Sequence, residues 1–420
     1  MFTEKVFIKK AFSFITQSKK DMSHNLRLPA CLMLLYFFVL VSCKKETTTN
    51  ENGEGNFVSA TSAGTFPKIS LQALATLKGF SDYVPFIKYD VEFFKFIYKT
   101  TYKGNPVEAS GLLGIPKNVP KAPSLLSAQH GTMFNQSDAP SNFPKTFSGF
   151  EIGAAAGFVT LIPDFIGYGV SQNIPHPYYI QDYSAQAVVD MIKAAKIFLT
   201  NEKIPISNRT FLLGYSEGGY VTMAAQKEIE TNKQYNLSLT AVGAGAGGYD
   251  ISGMLKGIAS SPTYAAPSFL ALFIKSYDST YSWNSPYSDF FQEPYASRIP
   301  SLLDGTKSRP EIDSALTTST AALFNPVFHA NLSNAKEEIA LKQAIAKNSL
   351  LNWAPKTPTR LFHGTSDEVV YYETSVTTYN NLKAAGAANI ELISIPGGTH
   401  ETTVKPMILG VLPWFQSLDQ

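Results

Sequence analysis

Short apolar runs alternate with helix-periodic stretches through most of this chain, and that alternation constrains its fold more than any other feature. The runs are "ASGLLGIP" (109–116), "PSLLSAQHG" (123–131), "GFVTLIPDF" (157–165), "TFLLGYS" (210–216) and "SLTAVGAGAGG" (238–248). Between them, "YSAQAVVDMIKAAKIFL" (183–199) has helical spacing, with Val188, Ile192 and Ala195 on one side, and "EGGYVTMAAQKEIE" (217–230) is a second helix. The rhythm resumes with "TRLFHGTSDE" (359–368), a helix near 371–385, "NIELISIPGGTH" (389–400) and a last helix through Trp414. Strands that stay apolar on both faces are buried on both faces. A mostly parallel central sheet flanked by helices is therefore expected, an α/β architecture. With 420 residues, 44% hydrophobic and 16% charged, the chain can bury the large core this requires.

Two segments break the rhythm. Residues 251–350 are rich in Tyr, Ser, Phe and Pro and then turn helical near "NAKEEIALKQAIAKN", which suggests a mainly helical cap or lid insertion between two strands. The core is then expected over 66–250 and 351–420. At the other departure, the N-terminus, "RLPACLMLLYFFVLVSCKKE" carries an apolar stretch of 14 residues from Leu28 to Val41. That is signal-peptide length and short of a membrane span, which needs about 20. Leu40-Val41-Ser42-Cys43 resembles the lipobox of bacterial lipoproteins. The resemblance implies that residues 1–43 form a lipoprotein-type signal cut before Cys43, with Cys43 acylated as the first mature residue of a membrane-anchored lipoprotein on the periplasmic or cell-surface side. Met22 begins a more typical signal and is an alternative start. Residues 44–65, "KETTTNENGEGNFVSATSAG" among them, are polar and Gly/Ser/Thr-rich, and are expected to form a flexible tether.

Gly214-Tyr215-Ser216-Glu217-Gly218 is a Gly-x-Ser-x-Gly sequence with a strand before it and a helix after it. Such a turn lifts the serine to the carboxyl end of a sheet, and glycines two residues either side let neighbouring backbone approach. A serine is a poor nucleophile until a base takes its proton and an acid orients the base. His400 in "PGGTH" and Asp367 in "HGTSDEVV" each follow a strand, so Ser216, Asp367 and His400 come from three strand ends in the order Ser, Asp, His. Asp250, in "GGYD", is the alternative acid.

These segments resemble those of the α/β-hydrolase superfamily over about Val91 to Gln420, and among its members secreted lipases and esterases with a helical cap. "GYSEGG", "HGTSDEVV" and "PGGTH" match the nucleophile, acid and histidine segments. "AQHGT" (128–132) resembles the oxyanion strand-loop, and "PDFIGYGVS" (163–171) the Asp-x-x-Gly-x-Gly-x-Ser turn. The resemblance implies a Ser216–His400–Asp367 triad acting on carboxylic esters, small-molecule or lipid, without a cofactor. It also implies an oxyanion hole made by the backbone N–H groups of Glu217 and Thr132. The Glu217 carboxylate is left without a role. A peptidase on the same fold is the alternative activity, and a non-catalytic binding protein the alternative class.

The remaining polar candidates have structural readings. His130 is expected to hold the oxyanion loop, with a substrate contact as the alternative, Asp164 to bond backbone N–H groups of the Gly167–Gly169 loop, and His363 to pack near the loop that carries Asp367. His176 and His329 are expected at the surface, with a place facing the pocket as the alternative. The aromatic run from Tyr277 to Tyr287 either lines an acyl pocket or packs on the sheet. Residues 1–43 hold six Lys/Arg against two Asp/Glu, and the rest holds 29 against 31. A near-neutral body gives no electrostatic case for nucleic acid. Both cysteines, Cys31 and Cys43, lie in the leader, which excludes a cysteine nucleophile, a disulfide framework and a cysteine metal site in the body. No His/Asp/Glu spacing points to a metal.

Overall fold

A computed structural model describes residues 46–50 and 55–420. The signal, cleavage and lipidation readings, Cys43 included, lie outside the described residues. Ten strands form one sheet among the described residues: β1 (Thr47–Thr49), β2 (Phe57–Phe66), β3 (Val91–Tyr102), β4 (Asn105–Pro116), β5 (Leu125–Gln129), β6 (Val159–Pro163), β7 (Thr210–Tyr215), β8 (Ala241–Gly245), β9 (Thr359–Gly364) and β10 (Ile390–Ile395). Their order is β1-β2-β3-β4-β6-β5-β7-β8-β9-β10. The first four are joined antiparallel, as is β4 to β6, and the six strands from β6 to β10 are mutually parallel.

Burial explains the apolar runs. Every residue of β5, β6, β7 and β8 is buried, and β7 shows why both faces must be apolar. Leu212 faces the helices Gln181–Asn201 and Glu217–Thr231, in one cluster with Val188, Ile192 and Val221. Phe211 and Leu213 point the other way, into a cluster with Met407, Val411 and Phe415 of the helix Val404–Leu418. Each such side chain removed from water contributes about 1.5–3 kcal/mol. Because these strands are parallel, their carboxyl ends share one edge of the sheet. The chain beyond each end is therefore brought to the same place, where open α/β sheets bind ligands.

The tether expected over 44–65 is corrected: β2 takes residues 57–66 into the sheet, antiparallel to β3. A Ser/Thr/Ala/Gly-rich strand resembles a linker in composition, but two side chains commit it. Phe57 is 1% exposed and its ring lies 5.3 Å from those of both Phe96 and Phe198, while Ala60 is fully buried. Phe57→Ala is expected to cost about 3–5 kcal/mol, seen as a lower guanidinium midpoint. A tether residue would leave that midpoint unchanged.

Between β8 and β9 the chain forms a run of helices from Ile251–Ser260 to Ile339–Asn348. They pack over the sheet's carboxyl edge by specific bonds. Tyr264 Oη donates to Val369 O at 2.9 Å, Ser276 Oγ to Tyr178 O at 3.0 Å and Tyr277 Oη to Tyr179 O at 3.1 Å.

Candidate active site

Ser216 is the single residue between the end of β7 and the helix Glu217–Thr231. Its backbone sits at φ +60°, ψ −127°, a left-handed conformation that costs a residue with a Cβ about 1–3 kcal/mol. The bond from Ser216 N–H to Gly245 O at 2.9 Å holds the turn against β8. Gly218 is required on the other side, because a Cβ there would lie 2.0 Å from Gln129 O at the end of β5. The serine is thus fixed at the sheet edge, buried, with its hydroxyl donating to His400 Nε2 at 2.8 Å.

The imidazole of His400 continues the line. Its Nδ1–H donates to Asp367 Oδ2 at 2.7 Å. Asp367 Oδ1 accepts the N–H groups of Val369 at 2.9 Å and Val370 at 2.8 Å, so the loop after β9 aims the carboxylate. A further partner is His363, four residues upstream on β9. Its Nε2 is 2.8 Å from Val370 O and 3.2 Å from Asp367 Oδ2, and its Nδ1 is 2.7 Å from Ser375 Oγ. A carbonyl accepts only, so Nε2 carries the proton and Ser375 donates to Nδ1. Burial alone would raise the Asp367 carboxyl, but the hydrogen bonds from His363 and His400 outweigh it and hold it well below the usual carboxylate range. The packing expected for His363 is present, and its hydrogen bond to the acid is an addition.

The loop after β5 comes close to the serine: a Cβ placed on Gly131 would be 3.5 Å from Ser216 Cβ. Thr132 N–H makes no hydrogen bond within the described protein, and its Oγ1 lies 3.0 Å from Tyr178 Oη. Glu217, as the first residue of its helix, has an N–H with no acceptor inside that helix. Both predicted oxyanion donors therefore stand free at the same edge. His130 is buried, donates from Nδ1 to Gly131 O at 2.7 Å and stacks on Phe165 at 4.2 Å, in the loop-holding arrangement. Burial pushes its pKa down, so the ring is neutral.

Other expectations are revised. Asp250 stands apart from His400: it is the N-cap of the helix Ile251–Ser260, accepting from Gly253 N–H at 2.9 Å. Asp164 accepts no N–H of the Gly167–Gly169 loop: it lies against Gly169 and reaches the next residue, Val170, through Ser110. Its Oδ2 accepts from Ser110 Oγ at 2.6 Å, and that hydroxyl accepts the Val170 N–H at 3.0 Å. His176 is not a surface residue. Its side chain is 8% exposed and lies with Nε2 2.7 Å from Glu217 Oε1. His329 is half-buried, with Nε2 2.8 Å from Ala259 O. Within the aromatic run, Tyr277, Tyr281 and Trp283 pack on one another, and Trp283 also lines a cavity with Phe290 and Phe328. The residues that sequence reasoning missed are His176 as a partner of Glu217 and Tyr215, whose hydroxyl donates to His400 O.

A model of the secretory lipase family matches residues 153–410, more than half of the chain and a span that includes Ser216, Asp367 and His400. No curated protein sequence matches. Among solved structures, a putative hydrolase from Legionella pneumophila is 25% identical with a TM-score of 0.80, over 87% of this chain and 98% of its own. The rice cell wall degrading esterase LipA from Xanthomonas oryzae is 24% identical with a TM-score of 0.74, over 86% and 96%. Candida antarctica lipase A in its closed state is 17% identical with a TM-score of 0.63, over 89% and 85%. The fold is that of the α/β hydrolases.

Proposed function

Because the chain belongs to the secretory lipase family, we propose that it is an exported serine hydrolase that cleaves carboxylic esters through an acyl-enzyme. The observation that carries this reading is the unbroken line from Ser216 Oγ to His400 Nε2 at 2.8 Å and from His400 Nδ1 to Asp367 at 2.7 Å. Ser216 Oγ attacks the ester carbonyl as its proton passes to His400 Nε2. Asp367 stabilises the imidazolium that forms, and it also holds the tautomer that accepts the proton. The N–H groups of Glu217 and Thr132 bind the oxyanion, whose charge exists only after attack, so they lower the barrier without tightening the ground state. His400 then protonates the departing alcohol, and water activated by the same nitrogen hydrolyses the acyl-enzyme.

The helices of 251–350 act as a cap in this reading, over a core formed by the rest of the described chain. An apolar cavity of about 60 Å³ lies between the two, lined by Tyr178, Ile251, Met254, Leu270, Phe273 and Val370. Tyr178 touches Thr132 and the Val370 N–H is bonded to Asp367, so the cavity adjoins both ends of the site. That placement supports an acyl-chain subsite. Anchoring through acylated Cys43, on the periplasmic or cell-surface side, rests on the sequence alone.

The activity is tested with p-nitrophenyl esters beside aminoacyl-p-nitroanilides, using residues 44–420. Esters are expected to turn over faster. Faster anilide turnover would assign the protein to the peptidases, and hydrolysis of neither would end the catalytic reading.

A further inference from the structure

Glu217 carries two groups with opposing consequences. Its N–H is one of the two oxyanion donors proposed above. Its carboxylate is 1% exposed and lies on the same residue. A bare carboxylate in this low-dielectric surrounding would oppose the negative charge that the N–H is there to bind. It would also be a costly isolated charge. Lys and Arg do not reach it: among the described residues its ion-pair partner is His176.

The two ring-nitrogen contacts of His176 fix how many protons the pair holds. His176 Nδ1 is 2.7 Å from Ile166 O, and a carbonyl only accepts, so Nδ1 carries a hydrogen. His176 Nε2 is 2.7 Å from Glu217 Oε1, and two lone pairs at that distance repel, so a proton lies in this contact as well. Whichever atom holds it, imidazole and carboxyl together have no net charge. We propose that His176 is a positioning residue for the oxyanion hole: it shares one proton with Glu217, so that the buried carboxylate beside the oxyanion donor presents no net negative charge during ester hydrolysis.

The turn "PDFIGYGVS" is shaped for this contact. Phe165 adopts φ +67° and stacks parallel to the His176 ring, 6.2 Å away, and Tyr168 lies against it at 4.8 Å. Gly167, at φ +98°, passes so close that a Cβ would lie 2.6 Å from His176 Cα. The other titratable groups facing Glu217 supply no positive charge. His130 is kept neutral by burial, and burial also raises the phenols of Tyr168, Tyr178 and Tyr179 well above their ordinary range. The Asp164 carboxylate accepts from Ser141 N–H and Ser110 Oγ. His176 is left as the one source of neutralisation among the described residues.

The inference rests on Ser216 being the nucleophile of an esterase, and its test separates the two. His176→Gln keeps a side chain that can donate a hydrogen bond to Glu217 but removes the titratable proton. It is expected to lower kcat on a p-nitrophenyl ester by about 10- to 100-fold with little change in KM. His176→Gln/Glu217→Gln removes the charge too and is expected to regain at least about tenfold over the single variant. A purely structural contact predicts the reverse, since the second substitution only removes another native group. A double variant no faster than His176→Gln, or a single variant with undiminished kcat, overturns the proposal. Should the variants fail to fold, neutron diffraction of the wild-type protein decides: a proton between His176 Nε2 and Glu217 Oε1 supports it, and its absence overturns it. Fluorophosphonate labelling of wild-type Ser216 reports on the esterase reading separately.

Discussion

Ser216→Ala lowers kcat on p-nitrophenyl esters by about 10⁶-fold and abolishes labelling by fluorophosphonate, if the three side chains act as a unit like those of other serine hydrolases. Once the hydroxyl is gone, His400 has no proton to take and no acyl-enzyme forms. The oxyanion donors remain, because both are backbone groups, so a residual rate of about 10³–10⁴ over water is expected. Folding should survive. Alanine keeps the Cβ that Ser216 already carries at φ +60°, so the backbone strain of the turn is unchanged. The loss is the bond to His400 Nε2, worth about 1 kcal/mol. Thermal melts beside the kinetics separate the two effects. Labelling that persists in a folded Ser216→Ala protein would place the nucleophile on another residue.

The line from Ser216 to His400 was legible because the parallel sheet writes itself into sequence. β5 to β8 are short runs apolar on both faces, and parallel strands deliver the loops beyond their carboxyl ends to one edge. The Gly-x-Ser-x-Gly turn, "HGTSDE" and "PGGTH" each lie at such an end. The features that stayed hidden depend on pairings distant in sequence or on mixed composition. His176 meets Glu217 across 41 residues and Asp164 acts through Ser110 across 54, and no local pattern announces either. β2 was concealed because "FVSATSAGTF" shares its Ser, Thr and Gly with linkers, and only Phe57 and Ala60 bury fully. Asp250 was ambiguous for a different reason. An acidic residue just after a strand is also one just before a helix, and here the helix N-cap prevails.

Asp367→Asn is expected to reduce kcat by about 10⁴-fold while KM stays close to wild type. The geometry gives the reason. Oδ1 of Asp367 accepts two backbone N–H groups, from Val369 and Val370, so the oxygen of an asparagine takes that position and its amide nitrogen faces His400. A donor now confronts Nδ1, which must give up its hydrogen and accept. His400 therefore adopts the tautomer protonated at Nε2, and that nitrogen can no longer take the proton of Ser216. The same amide also meets His363 Nε2–H, 3.2 Å from the oxygen it replaces, so two donors are set against each other and the loop after β9 loses stability. Asp250→Asn is the matched comparison. Asparagine caps helices as well as aspartate does, so kcat and melting temperature should both remain near wild type. If Asp250→Asn proved the slower enzyme, the acid of the triad would lie after β8, and the contact between His400 and Asp367 would be only structural.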